Sequence, residues 1–354
     1  MNRLTIISFL VLLCCITSCD IFGDRGGSET EEIPAFEWEK AYRFASNNIT
    51  FIHITPGDEL FVGTVKSWHS SSDHGKTFTY HSVPDSVIFK IVKKFGDEYY
   101  AIGEYDTEVS VFGSPTTVKS DGIFRSSNGS DWEQLLGPFW MYDIILDDHQ
   151  YLYIAKYLGV SRLHIPTMKE TIMEFMPEGS NPEFANVLLQ NDQGEIFVGT
   201  DRGLYHTKDQ GENWERLIQG GGSFLDDIEE VEVTGDMIIA ISTKELHQSK
   251  DDGETWNSDP IQIHGVKDYY NPDYYYRDVD FTPTGELYTS TSYGVGVGKP
   301  DSLSKLYIAG PEGYDLENSF TYSRLEVFSN GDVAVANGTH VLIGTRNAES
   351  DFWN

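Results

Sequence analysis

Polar side chains recur at one kind of place along this 354-residue chain, immediately before short apolar runs: Asp143 before Ile144, Asn186 before Val187, Glu230 before Val231, Asp278 before Val279 and Arg324 before Leu325. If those runs are strands whose starts converge, three carboxylates at one mouth could coordinate a cation such as Ca²⁺ or grip sugar hydroxyls, or simply line a water-filled channel. Glycoside cleavage would use two carboxyls, one with a raised pKa; Asp143, Glu230 and Asp278 are the candidates and nothing singles out a pair. A second candidate is the loop carrying Tyr269, Tyr270, Tyr274 and Tyr275. Tyrosine offers a flat apolar face with a polar tip, suited to stacking on sugar rings or anchoring a protein partner, and equally suited to covering neighbouring strands. Other chemistries drop out: Gly75-Lys76-Thr77 lacks the preceding Gly of a phosphate loop, and the ten His form no HExxH pattern.

The elements that would position these residues repeat. Ser71-Ser72-Asp73-His74-Gly75-Lys76-Thr77-Phe78 recurs as Thr207-Lys208-Asp209-Gln210-Gly211-Glu212-Asn213-Trp214 and as Ser249-Lys250-Asp251-Asp252-Gly253-Glu254-Thr255-Trp256, with a shortened copy at Ser126-Ser127-Asn128-Gly129-Ser130-Asp131-Trp132. Each copy lies between strand-like runs and reads as a hairpin loop. The hydroxyl of Ser71, Ser126, Thr207 or Ser249 and the side chain of Asp73, Asn128, Asp209 or Asp251 can bond loop amides. Gly75, Gly129, Gly211 and Gly253 supply a positive φ, and Phe78, Trp132, Trp214 and Trp256 bring apolar bodies to bury between sheets. These residues are turn staples rather than catalytic acids or metal ligands.

A turn glycine followed by a short apolar strand appears at Gly57, Gly96, Gly194, Gly235, Gly285 and Gly331, and a glycine-less version at Asp148–Ile154 makes seven units. Gly57 and Gly331 are 274 residues apart over six intervals, or about 46 residues per unit, the period of four-stranded propeller blades. Asn128 and Asp209 are 81 residues apart, so one intervening unit lacks the staple. The expected fold is all-β: a seven-bladed β-propeller of four-stranded antiparallel blades over residues 34–354, with no amphipathic helix. Closing the ring needs an outer strand for the last blade. Trp38-Glu39-Lys40 resembles Trp214-Glu215-Arg216 and could supply it, as could Thr345 to Trp353.

The repeated form S/T-x-D-x-G-x-T-W/F resembles the Asp-box, or BNR repeat, of sialidase-like β-propellers. That resemblance implies the fold and leaves activity open. The early Arg-Ile-Pro motif of sialidases is only Glu32-Ile33-Pro34 here, and their arginine cluster and tyrosine nucleophile have no clear counterpart. Xyloglucanase-like glycosidases pair two propellers around a cleft, whereas this chain has one; single-propeller photosystem assembly factors share the repeat. In an up-and-down blade the Gly turns and the Asp-boxes share one face. The longer segments, Glu104 to Ser120, Gln219 to Phe224 and Pro260 to Tyr275, fall on the opposite face with the strand starts named above, and that is where a site is expected.

The N-terminal residues resemble a bacterial lipoprotein signal: Arg3, an apolar run from Leu4 to Ile16, then the lipobox Ile16-Thr17-Ser18-Cys19. The expectation is a signal peptide over 1–18, a lipid on Cys19 and a solvated tether over 19–33, with no thiol left in the propeller. Asp20 is the enterobacterial inner-membrane signal, a rule other lineages do not follow, and the outer membrane is the expected address, facing the periplasm or the cell surface. A net charge of -31 repels nucleic acid and anionic lipid, leaving the membrane contact to the lipid alone. The reading is a monomeric, non-catalytic module or scaffold for a glycan or an envelope protein, without a required cofactor. The alternative is a glycoside hydrolase or lyase of sialidase-like or xyloglucanase-like type on the same face.

Overall fold

The computed structural model describes residues 36–44, 48–111, 114–173, 184–219, 227–242, 245–260, 262–263, 279–291, 294–299, 302–308 and 324–347. Cys19, the signal and the tether, the Tyr269–Tyr275 loop and Asp278 lie outside these residues. Strand β1 (Phe36–Arg43) comes first. Blade 1 is β2 (Ile49–Ile54), β3 (Leu60–Thr64), β4 (Ser67–Ser71) and β5 (Thr79–Ser82). Blade 2 is β6 (Val87–Phe95), β7 (Glu98–Val111), β8 (Ser114–Ser126) and β9 (Glu133–Phe139). Blade 3 is β10 (Met141–Leu146), β11 (Tyr151–Lys156), β12 (Gly159–His164) and β13 (Lys169–Met173). Blade 4 is β14 (Ala185–Gln190), β15 (Ile196–Thr200), β16 (Gly203–Thr207) and β17 (Glu215–Gln219). Blade 5 is β18 (Ile228–Thr234), β19 (Met237–Ser242), β20 (Glu245–Ser249) and β21 (Asn257–Pro260). Blade 6 joins β22 (Gln262–Ile263), parallel to β26 (Ser302–Ile308), to β25 (Gly294–Lys299), β24 (Leu287–Thr291) and β23 (Val279–Phe281). Blade 7 is β27 (Arg324–Val327), β28 (Val333–Asn337) and β29 (His340–Arg346), completed by β1.

These seven sheets form a β-propeller. The innermost strands neighbour one another around a closed ring, with β27 returning to β2 and β10 touching β7 at the seam between blades 2 and 3. The core is divided accordingly: seven apolar clusters each straddle one seam between blades. Alternation explains this. In β3, Leu60 and Val62 point toward blade 7 while Phe61 points toward blade 2, so the strand is buried on both faces.

Closure falls to the N-terminal segment. β1 pairs antiparallel with β29, Phe36 opposite Arg346 and Trp38 opposite Gly344, and Trp38 packs on the cluster between blades 6 and 7. The return from blade 7 to blade 1 is stitched again on the turn face, where Asp58 Oδ1 accepts the Ser329 amide at 2.8 Å and the His74 ring stacks 4.2 Å from Phe328.

The four repeated loops are the turns from third to fourth strand in blades 1, 2, 4 and 5. Asp73 Oδ1 accepts the Ser71 hydroxyl and the Thr77 amide, both at 2.8 Å, and the Ser71 oxygen accepts the Gly75 amide at 2.8 Å. Thr207, Asp209, Gly211 and Asn213 repeat the arrangement, as do Ser249, Asp251, Gly253 and Thr255. In the short copy Asn128 Oδ1 accepts the amides of Ser130 and Asp131. Such bonds favour the anion, and the Asp73 carboxyl is held at about 2, first by the Thr77 hydroxyl. Gly211 has φ of 84°, and a Cβ there would lie 1.8 Å from the Met173 methyl, so both backbone and packing demand glycine. The closing aromatics Phe78, Trp132, Trp214 and Trp256 pack at the seam with the preceding blade.

Replacing Trp38 by Ala removes the aromatic body that seats the closing strand, and a loss of about 2–3 kcal/mol is expected in denaturant unfolding. An unchanged midpoint would mean that β1 contributes nothing to closure.

Candidate functional site

An innermost strand is paired on one side only, so its channel-facing amides need other partners. Side chains from adjacent blades supply several. Asp143 Oδ2 accepts the Leu188 amide of blade 4 at 3.0 Å, while its Oδ1 accepts its neighbour Ile144 N at 2.8 Å and Lys93 Nζ of blade 2 at 2.6 Å. Asn186 Nδ2 donates to the Ile228 carbonyl of blade 5 at 3.2 Å. Asp280 accepts the Val327 amide at 2.6 Å across the seam from blade 6 to blade 7, and Glu326 accepts the Ile54 amide at 2.9 Å across the closing seam.

The residues expected to share one ring divide. Asp143, Glu230 and Arg324 are paired with Ala155, Ile241 and Ala336, equivalent rungs of their blades. Asn186 is not equivalent: it is the extra residue of a β-bulge between Ala185 and Val187, and Val187 holds the rung opposite Gly199. The same bulge recurs in blades 1, 2, 3 and 5, at Thr50, Lys90, Tyr142 and Glu229. A bulge adds a residue and breaks the period of two, which displaces an alignment made on alternation by one position. In blades 1 and 2 the equivalent rung is held by Phe51 and Ile91, so this level is a mixture of apolar and polar groups.

A second level, two residues deeper, is more polar. It comprises His53, Lys93, Glu232, Asp280 and Glu326 on five blades, with Ile145 and Leu189 on the other two. His53 Nδ1 lies 3.5 Å from Glu326 Oε2. Asp280 is raised well above the ordinary carboxylate range by burial, then by the charges of Glu326 and Glu232. Glu232 is raised to about 7 by burial. For both carboxyls burial is the largest cause of the shift. Among the described residues no three His, Cys, Asp or Glu are arranged to hold a metal ion.

The channel-mouth face carries a third feature. Segment Glu104 to Ser120 is a regular hairpin extension rather than an irregular loop: β7 and β8 stay paired to Val111 opposite Ser114, beyond the reach of β6 and β9. At its base Lys90 Nζ lies 2.7 Å from the buried Asp121, whose other oxygen accepts the Met141 amide at 3.0 Å. Lys119 lies 3.0 Å from Asp106 and 3.6 Å from Glu104. Beside it the link into blade 3 and the Tyr157-Leu158 turn raise an aromatic ledge. Trp140 and Tyr157 meet edge to face at 5.1 Å and 79°, and Tyr157 packs 4.4 Å from Phe184. The Tyr157 amide donates to the Trp140 carbonyl at 3.2 Å, and the indole N–H donates to the Lys119 carbonyl at 3.4 Å. Tyr142, the bulged residue of β10, completes the ledge; its hydroxyl is raised by burial, then by Asp121 and Tyr157.

The chain is a β-propeller. No protein-family model and no curated protein matches it. Among solved structures it is similar to the extracellular domain of BT4673 from B. thetaiotaomicron, with TM-score 0.64 and 11% identity over 88% of this chain. It spans only 39% of that longer chain. It is also similar to YCF48 bound to D1 peptide, with TM-score 0.59 and 14% identity over 90% of this chain and 99% of that one. The Pan2 WD40 domain of Neurospora crassa aligns at TM-score 0.56 and 10% identity over 92% of this chain and 99% of that one. Identities this low establish the fold alone.

Glu232 gives a pH test. With its pKa raised from 4.5 to about 7, the folded protein keeps a proton between those values that the unfolded chain releases, so stability falls as pH rises through that window. Glu232→Gln removes this penalty: a gain on the order of 3 kcal/mol is expected at pH 8 and none at pH 4, read from urea unfolding at each pH. A gain independent of pH would mean that Glu232 is not protonated in the fold.

Proposed function

We propose that this protein is a lipid-anchored, non-catalytic binding module of the bacterial envelope, taking a glycan or a protein partner on its channel-mouth face. The observation that carries the reading is the exposed aromatic ledge beside the hairpin of blade 2, on the face opposite the Asp-box turns. Rigid strands hold it, and loops on one face of such a scaffold are where binding is built. The resemblance of the repeats to those of sialidase-like propellers is compatible with a glycan, and the peptide bound by YCF48 with a protein partner.

The glycosidase alternative gains little support. A catalytic acid must be free to give up and regain a proton, and Asp143 is tied to two amides and an ammonium. The lipid anchor rests on the lipobox resemblance at Cys19 and would hold at a membrane a chain whose net charge of -31 gives it no attraction to anionic lipid.

Two measurements test this. On a glycan array run beside a reducing-sugar release assay, binding without turnover is expected; release of sugar from any hit would overturn the non-catalytic reading. Metabolic labelling with an alkyne fatty acid should tag the wild type, and Cys19→Ser should lose the label and leave the membrane fraction. A Cys19→Ser variant that stays labelled would refute the anchor.

A further inference from the structure

The ledge says more than that something binds. Five of the ten exposed large hydrophobics among the described residues are Phe139, Trp140, Tyr142, Tyr157 and Leu158, gathered within twenty positions of one another, and such clustering is unlike the scattered apolar residues of ordinary surfaces. Trp140 is 55% exposed although its backbone and indole N–H are both held, so its ring is fixed in place and open to solvent. Tyr157 stands nearly perpendicular to it and forms a second wall.

The charges around this corner narrow the ligand. Lys90 is paired with Asp121 at 2.7 Å, Lys119 with Asp106 at 3.0 Å, and Lys156 with Glu170 at 2.6 Å while its ammonium sits 4.8 Å from the Phe139 ring. Among the described residues each of these three ammoniums faces a carboxylate, and Glu104 adds one more acid. An anionic ligand would have to break these pairs and approach a chain of net charge -31. Acceptor oxygens are plentiful, and acceptors are what sugar hydroxyls need.

We infer that the ledge binds an uncharged glycan, with one pyranose ring stacked on the Trp140 indole, Tyr157 as the side wall, and Glu104, Asp106 and the Tyr142 hydroxyl receiving sugar hydroxyls. This rests on the binding-module reading and gives it a ligand class. A sugar is favoured over a protein because a stable protein interface covers about 800 Å² on each partner, whereas five side chains suit a few sugar units. Stacking contributes without charge, so binding at this ledge is insensitive to salt.

Isothermal titration of the purified protein with neutral gluco-, manno- and galacto-oligosaccharides, uronate-containing and sialylated oligosaccharides, and a basic peptide tests the inference. Neutral sugars should bind and the acidic ones should not. Trp140→Ala should weaken binding by about tenfold or more, and Trp140→Phe should recover most of it. Ile172→Ala, at a side chain 70% exposed on the outer strand of blade 3, should change nothing. Thermal unfolding of Trp140→Ala should remain a single cooperative transition with only a modest fall in midpoint, since the ring is 55% exposed, and Trp140→Phe separates loss of stacking from loss of fold. Failure of every neutral oligosaccharide to bind, preference for acidic ones, or full affinity in Trp140→Ala would overturn the inference. Peptide binding without any sugar binding would overturn it while leaving the binding module standing; cleavage of a bound sugar would instead remove the non-catalytic reading, with the Trp140 variants still deciding the ledge.

Discussion

Each innermost strand of this ring has a hydrogen-bonding neighbour on one side and the channel on the other, and much of the molecule answers that one-sidedness. Carboxylates of Asp143, Asp280 and Glu326 cap amides of the next blade along the channel, and Asn186 caps a carbonyl. The same side chains hold the seams together, so Asp143 and Asn186 among the strand-start residues have a structural role between blades. The Asp143 anion meets two amides and an ammonium, which offset its burial, whereas burial raises the carboxyls of Glu232 and Asp280 above their ordinary range, with the charge of Glu326 adding to the effect at Asp280.

The blades were legible because their signals are local. The turn's positive φ is met by glycine at Gly194 and Gly331 and by Asp58 and Gln150 at the equivalent place in blades 1 and 3, and a staple such as Asp209 sits two residues after its hydroxyl partner Thr207. Counting such turns therefore counts blades. The closing strand left a weaker trace, since Trp38-Glu39-Lys40 echoes Trp214-Glu215-Arg216, yet only pairing with β29 distinguishes it from the C-terminal segment.

The site was less legible, for two reasons. Bulges at Tyr142 and Asn186 insert residues that alternation does not register, so Asn186 precedes an apolar run as Asp143 does and yet does not occupy the equivalent rung. The deeper acidic level did leave a pattern, an acid between two apolar residues in Val231-Glu232-Val233, Val279-Asp280-Phe281 and Leu325-Glu326-Val327. It reads like ordinary half-buried strand alternation, and only the ring makes its outer face a channel. The ledge left no periodic trace at all: Trp140 and Tyr157 lie in two separate connections that meet because blade 2 ends where blade 3 begins.

Closure by β1 also sets an order of events. Trp38 meets Gly344 across more than 300 residues, the longest sequence separation of any strand pair among the described residues. Each other blade is built from consecutive strands and can form as its own hairpins do, while the seventh waits for an opposite end. Until then, β29 presents an open strand edge and Trp38 has no seat. A ring closed by its two ends thus exposes an unpaired edge for as long as those ends are apart, the kind of edge that invites mispairing with a second copy.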